Sequence, residues 1–201
     1  MFYEPSRGDH GLARNPFLAL VAPRPIGWIS TVSRDGVPNL APYSFYNAVA
    51  SVPPIVMFTS TGAKHSLRNV EETGAFVVNV VSGPLAAAMN ATSAEVDESV
   101  DEFALAGLDS EPGRIVPVPR VRDAPAALEC RHVRTLRLTD AAGREIDSWL
   151  VLGEVVGVHI DEAVLTDGFV DPVKLAPVGR LGYLDFTVVR EVFAMPRPRP
   201  R

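Results

Sequence analysis

The alternation of apolar and polar positions marks a chain made mostly of short extended segments. Residues 26–33 carry Ile, Trp, Thr and Val and then meet Arg34-Asp35-Gly36. An Asp-Gly step after such a run predicts a hairpin, because glycine accepts positive φ. The extended pattern resumes over 37–50, where Pro38 and Pro42 restrict it to a sheet edge or a bulged strand. Proline has no N–H to give to a central ladder. Residues 55–60 and 75–81 are short, apolar and rich in β-formers, which predicts buried strands. Residues 128–138 and 146–160 predict a long pair around Ala141-Ala142-Gly143-Arg144, and 184–192 a last strand.

Helical signals are fewer. Residues 64–73 end at Gly74, a suitable left-handed C-cap. Residues 84–91 are alanine-rich and begin with Pro84, which suits a helix start. Residues 101–106, ending near Gly107, predict one or two turns. Many strands in hairpin succession with few helices predict a mainly β, antiparallel barrel or sandwich, not a doubly wound α/β sheet. The chain has no Gly-x-Gly-x-x-Gly, so a Rossmann dinucleotide site is not expected.

Composition narrows the classes. Of 201 residues, 47% are hydrophobic and 21% charged, enough to bury a real core. Residues 1–192 are expected to form one domain, and 193–201 an extended Pro/Arg tail. A net charge of −5 argues against nucleic-acid binding, which needs a basic stripe. The lone Cys130 has no disulfide partner in the chain, which fits a reducing cytoplasm. No apolar run approaches the roughly 18 residues of a membrane span. Glu4, Asp9 and early prolines do not make a secretory leader. Walker, Cys-x-x-Cys, His-Glu-x-x-His and Gly-x-Ser-x-Gly motifs are absent, and His10, His65, His132 and His159 lack ligand-like spacing.

Two stretches carry candidate chemistry. Residues 60–69, Ser-Thr-Gly-Ala-Lys-His-Ser-Leu-Arg-Asn, leave a strand, turn on small residues and enter a helix. Free N–H groups at a helix start attract anions, and Ser60, Thr61, Lys64, Ser66 and Asn69 add donors and charge suited to one phosphate. The alternative is a capped surface helix with solvated polar groups. Residues 39–47, Asn-Leu-Ala-Pro-Tyr-Ser-Phe-Tyr-Asn, gather aromatics, prolines and small polar groups on a bulged strand. Such a strand can expose main-chain donors to a flat ring. Alternatively, Tyr43, Phe45 and Tyr46 fill the core, and strand alternation requires this of some.

Taken in order, several segments resemble the flavin reductase-like, FMN-binding split-barrel family. They are residues 23–31, 39–47, 53–55, 64–69, 73–79, 127–130, 153–155 and 179–183, spread over nearly the whole chain. The resemblance implies an antiparallel split β-barrel of Greek-key type and a homodimer with one FMN per subunit near the interface. It implies Lys64, Ser66 and Asn69 on the phosphate, with Ser60 and Thr61 nearby. Tyr43, Ser44, Phe45 and Asn47 would line the ring and ribityl chain, with Trp28 and Thr31 beneath, and Arg180 and Tyr183 would close the site. His65 departs from the residue common in relatives, while Ser66 keeps a hydroxyl. The implied activity is hydride transfer from NADH or NADPH to flavin, with a monooxygenase as one recipient of reduced flavin. A non-catalytic electron carrier of flavoredoxin type is the alternative, and the pyridoxamine-phosphate oxidase barrels share the fold. No general acid is needed, because the cofactor carries the chemistry. Cys130 is expected to be buried and inert.

Overall fold

Two hairpins joined at a tight corner begin the main sheet. In the computed structural model, which describes residues 1–198, α1 (Phe17–Leu20) leads to β1 (Arg24–Pro25) and β2 (Gly27–Val32). The turn at 33–37 closes as the Ser33 N–H donates to the Val37 carbonyl at 2.9 Å, with Gly36 at φ +85°. The chain returns as β3 (Pro38–Tyr43), then forms β4 (Tyr46–Ser51) and β5 (Pro54–Thr61), α2 (His65–Thr73) and β6 (Ala75–Val80). Next come α3 (Ala86–Ala91), α4 (Glu102–Leu105) and the small β7 (Ser110–Pro112) and β8 (Pro119–Val121) ladder. The long hairpin β9 (Ala126–Thr139) and β10 (Glu145–Ile160) follows. Short pieces complete the order: β11 (Leu165–Thr166), β12 (Phe169–Val170), α5 (Pro172–Leu175), β13 (Val178–Arg180) and β14 (Phe186–Val188).

Seven strands form one antiparallel sheet in the order β3-β2-β6-β9-β10-β5-β4. Its two edge strands, β3 and β4, are neighbours in sequence, so the Ser44–Phe45 corner draws the edges together and curls the sheet into the expected split barrel. The Greek-key crossing from β5 through α2 to β6 leaves room for β9 and β10 to enter later. Pro38 and Pro42 both lie on the edge strand β3, where missing N–H groups cost no central ladder bond.

The barrel interior holds Ile29, Tyr43, Phe58, Phe76, Val78 and Val151, with Leu67 and Val70 of α2 packed against them. Gly74 ends α2 in the left-handed region, as expected. On the other face of β2, Trp28 packs with Leu40, Met89 and Phe103. Strand β2 is therefore buried on both sides, and α2 and α4 are fixed around its partner β3. One close approach explains a glycine: a Cβ on Gly153 would collide with the Phe76 ring and lie 3.2 Å from Cys130 Cβ.

Some expectations change in detail. The last strand is only Phe186–Val188, pairing solely with β13, and residues 189–198 carry no strand. Residues 193–198 are exposed, and 199–201 of the expected tail lie outside the described residues. The 37–50 run breaks at the corner, and β5 buries only alternate residues because its other face is open. The alanine-rich helix begins as a 3-10 turn at Gly83–Leu85.

Candidate functional site

The barrel corner and the start of α2 face each other across a cleft of about 560 Å³. Strand β5 delivers Thr59 and Thr61 to it, and β3 with the corner delivers Asn39, Pro42, Tyr43, Ser44 and Phe45. The turn after β5 is set by Ser60, whose hydroxyl donates to the Gly62 carbonyl at 2.8 Å while Gly62 takes φ +81°. That turn aims Lys64 and the first turn of α2 into the cleft. Lys64 is the N-cap in extended geometry, and no side chain caps this nine-residue helix. The first N–H groups of a helix have no intrahelical acceptor, and here the chain offers none from a side chain.

A buried hydrogen-bond network stiffens the floor. Asn39 Nδ2 donates to Ser66 Oγ at 2.9 Å and to Thr31 Oγ1 at 3.2 Å. Asn69 Nδ2 donates to the same Thr31 Oγ1 at 3.0 Å. Burial raises the pKa of the Tyr43 hydroxyl, and the neighbouring Ser66 and Ser60 side chains partly offset the rise. These contacts lock the rotamers of the groups that border the cleft.

The thirteen residues expected at the site divide by position. Tyr43, Ser44, Phe45, Thr61, Lys64 and Ser66 line the cleft. Thr31 and Asn69 lie behind it in the buried network, and Ser60 is buried beneath the turn, bonded to the Gly62 carbonyl. Trp28 is fully buried, and its Nε1 donates to Thr92 Oγ1 at 2.8 Å, so it supports the segment that forms the far wall. Asn47 is exposed on β4, its side-chain Oδ1 accepting from the Ala48 N–H. Arg180 and Tyr183 line a second cleft of about 220 Å³, which shares Pro42, Ser44 and Ser93 with the first.

Sequence reasoning missed the far wall, residues 92–96, and Glu102. No motif marks residues 92–96. Their position follows from the Trp28–Thr92 bond and from the Arg68–Glu98 ion pair at 2.6 Å. Glu102 follows the α4 N-cap Asp101, where an acidic residue ordinarily faces solvent. Instead it is 4% exposed and accepts the Leu40 N–H at 3.0 Å, and burial holds its carboxyl above the usual range.

One end of the cleft thus offers cationic and N–H donors, and the corner offers aromatic and apolar surface. No group of three or more potential metal ligands occurs among the described residues. Cys130 is buried in the barrel, where burial, then the Glu129 charge, push its thiol well above its ordinary pKa.

A model of the flavin reductase like domain matches residues 20–176. An uncharacterized protein of Deinococcus radiodurans is 39% identical over 193 residues, covering 89% of this chain and 82% of that protein. The crystal structure of nitrilotriacetate monooxygenase component B from Bacillus cereus is similar at 28% identity and TM-score 0.86, covering 97% of this chain and 98% of that one. The flavoredoxin of Desulfovibrio vulgaris (Miyazaki F) is similar at 26% identity and TM-score 0.79, covering 93% and 96%.

Proposed function

The chain belongs to the flavin reductase-like family, and from that premise we propose that it holds FMN in the larger cleft and passes hydride to it from NADH or NADPH. The observation that carries this reading is the uncapped start of α2, which opens beside Lys64 onto a cleft of about 560 Å³. That volume lies within the roughly 300–1,000 Å³ typical of small-molecule sites. The donor set suits a phosphate monoester, since helix N–H groups, an ammonium and hydroxyls favour a compact anion.

Lys64, Ser66 and Thr61 hold the phosphate end, with Thr31, Ser60, Asn39 and Asn69 fixing their positions from behind. Tyr43, Ser44 and Phe45 border the ring end. Ser44 and Phe45 lie between β3 and β4, so their peptide groups are placed to meet a flat heterocycle. When bound, FMN supplies the redox chemistry by taking up a hydride and giving up electrons to the next acceptor. The protein contributes orientation and exclusion of water, which is a proximity effect, and no acid–base pair is required.

Residues 1–192 act in this reading as one domain of a cytoplasmic homodimer. Val49 and Val52 are 52% and 92% exposed on the open edge at β4 and its turn, a surface that a second copy would cover. A monooxygenase is the partner class that would receive reduced flavin, as the likeness to a monooxygenase component supports. The likeness to a flavoredoxin favours a second reading, an electron carrier that keeps its FMN.

Titration of the purified protein with FMN, followed in the visible spectrum, tests the site. Lys64→Ala with Ser66→Ala should weaken binding strongly, because charge-assisted hydrogen bonds contribute on the order of 1.5–3 kcal/mol each. Unchanged affinity in that double variant refutes the phosphate assignment. Anaerobic addition of NADH and NADPH then separates the readings. Turnover with bleaching supports the reductase, and a tight yellow protein inert to both nucleotides supports the carrier.

A further inference from the structure

The smaller cleft has a charge arrangement that the larger one does not explain. Arg24 of β1 and Arg180 of β13 stand directly opposite each other in an antiparallel ladder, and both line this cleft. Like charges opposite each other on paired strands cost stability unless something negative lies between them. No Asp or Glu lines the cleft. Neither arginine has an ion-pair partner among the described residues.

Arg24 is only 7% exposed. Its Nη1 donates to the Leu18 and Val21 carbonyls at 2.6 and 2.5 Å, and its Nη2 to the Leu181 carbonyl at 3.0 Å. Its Nε is buried without a partner. Carbonyl dipoles orient the guanidinium, but they do not cancel a full charge. Burial, then the neighbouring Arg180, lower its pKa. Arg180 donates to the Tyr183 carbonyl and lies 4.3 Å from the centre of the Phe186 ring.

The wall around the pair is stiff. Tyr183 takes φ +56°, an uncommon conformation for a bulky residue that surrounding contacts must hold. A Cβ on Gly182 would run into Ala19, so the 180–183 segment is pressed against α1. With no acid beside them, Arg180 supplies the planar fork that matches phosphate or carboxylate, and Arg24, whose donors are mostly held by carbonyls, adds its uncancelled charge and a remaining Nη2 N–H.

We propose that the Arg24–Arg180 cleft is a subsite for the anionic group, phosphate or carboxylate, of the small molecule that exchanges electrons at the larger cleft. At about 220 Å³ it takes one end of such a molecule, because whole drug-sized ligands need roughly 300 Å³ or more. The shared wall of Pro42, Ser44 and Ser93 directs the remainder toward the corner at Ser44–Phe45. Anion binding itself follows from the two arginines; only the identity of the reaction partner rests on the flavin reading.

Thermal unfolding of the full chain at fixed ionic strength, with saturating FMN filling the larger cleft, provides the test. Inorganic phosphate and acetate are titrated separately against chloride. One of them should raise Tm saturably, by on the order of 5–10 °C at a hundredfold excess over its Kd. Phosphate alone acting indicates a nucleotide-type donor, and acetate acting indicates an organic acid. Arg180→Gln should abolish the rise, and Arg180→Lys, which keeps charge but loses the fork, should retain part of it. If neither anion stabilises the wild-type protein beyond chloride, or if Arg180→Gln responds as wild type does, the subsite is refuted. Should FMN fail to bind, the same titration in Lys64→Ala/Ser66→Ala decides the subsite alone. A rise there that disappears on adding Arg180→Gln upholds it while the flavin reading falls.

Discussion

Replacing Glu129 with Gln removes a charge from one of the most enclosed carboxylates in the protein. Glu129 is fully buried on β9. Its oxygens accept the Arg114, Ile115 and Val116 N–H groups at 2.8, 2.7 and 2.7 Å, and His159 Nε2 lies 2.6 Å away. Burial alone would raise its pKa, but three backbone donors and the imidazole outweigh it and bring the value down to about 2 from 4.5. A folded pKa below the unfolded one means that the stabilisation is complete above about pH 4.5 and disappears as pH falls toward 2. At about 1.4 kcal/mol per pH unit, the gap corresponds to about 3 kcal/mol at neutral pH. An amide keeps one acceptor but turns an NH₂ toward at least one of the N–H groups, so the loss should reach that size or more. For a chain of this length, Tm should fall by about 6–12 °C. Urea unfolding of both proteins between pH 2.5 and 7, followed by tryptophan fluorescence, measures the effect. The two stability curves should converge as pH falls through the acid range. FMN affinity should stay constant, because none of these partners lines the larger cleft. Equal stability at pH 7, or a gap that persists undiminished to pH 2.5, would refute the assignment.

Two further outcomes follow from the barrel interior. Gly153→Ala places a methyl group into the Phe76 ring and should cost on the order of 1–3 kcal/mol by overpacking, read as a lower urea midpoint; a neutral variant would show that the strand relaxes freely. The Cys130 thiol, buried and raised in pKa, should resist a disulfide reagent in the native protein at pH 8 and react in urea, and rapid native labelling would contradict its placement.

Much of the site was legible because its signals are local. The turn at residues 60–64 and the Gly74 cap frame α2 within a single stretch, and the spacing of Lys64 and Ser66 puts both at its start. Pro38 and Pro42 restricted their strand to an edge or a bulge, and the sheet order places it at an edge. Asn69 and Thr31 share that neighbourhood but face inward, because α2 must bury Leu67 and Val70 against the barrel and its polar residues fill the remaining gaps. Asn47 sits on the open face of β4, a direction that depends on the register after the corner. Residues 92–96 and Glu102 enter the site only because α3 and α4 pack beside β3, a contact between segments far apart in sequence.

Hydrophobic period, glycine turns and proline placement were enough to determine a mainly β antiparallel chain and the turn that leads into α2, because each depends on a few consecutive residues. Tertiary packing alone decided which polar groups face the cleft, the partner set that keeps Glu129 charged, and the meeting of Arg24 with Arg180. All three depend on strand register and contacts between separate elements, and the last on pairing across more than a hundred positions. No local pattern encodes such a distance, so only the folded sheet brings the two guanidinium groups together.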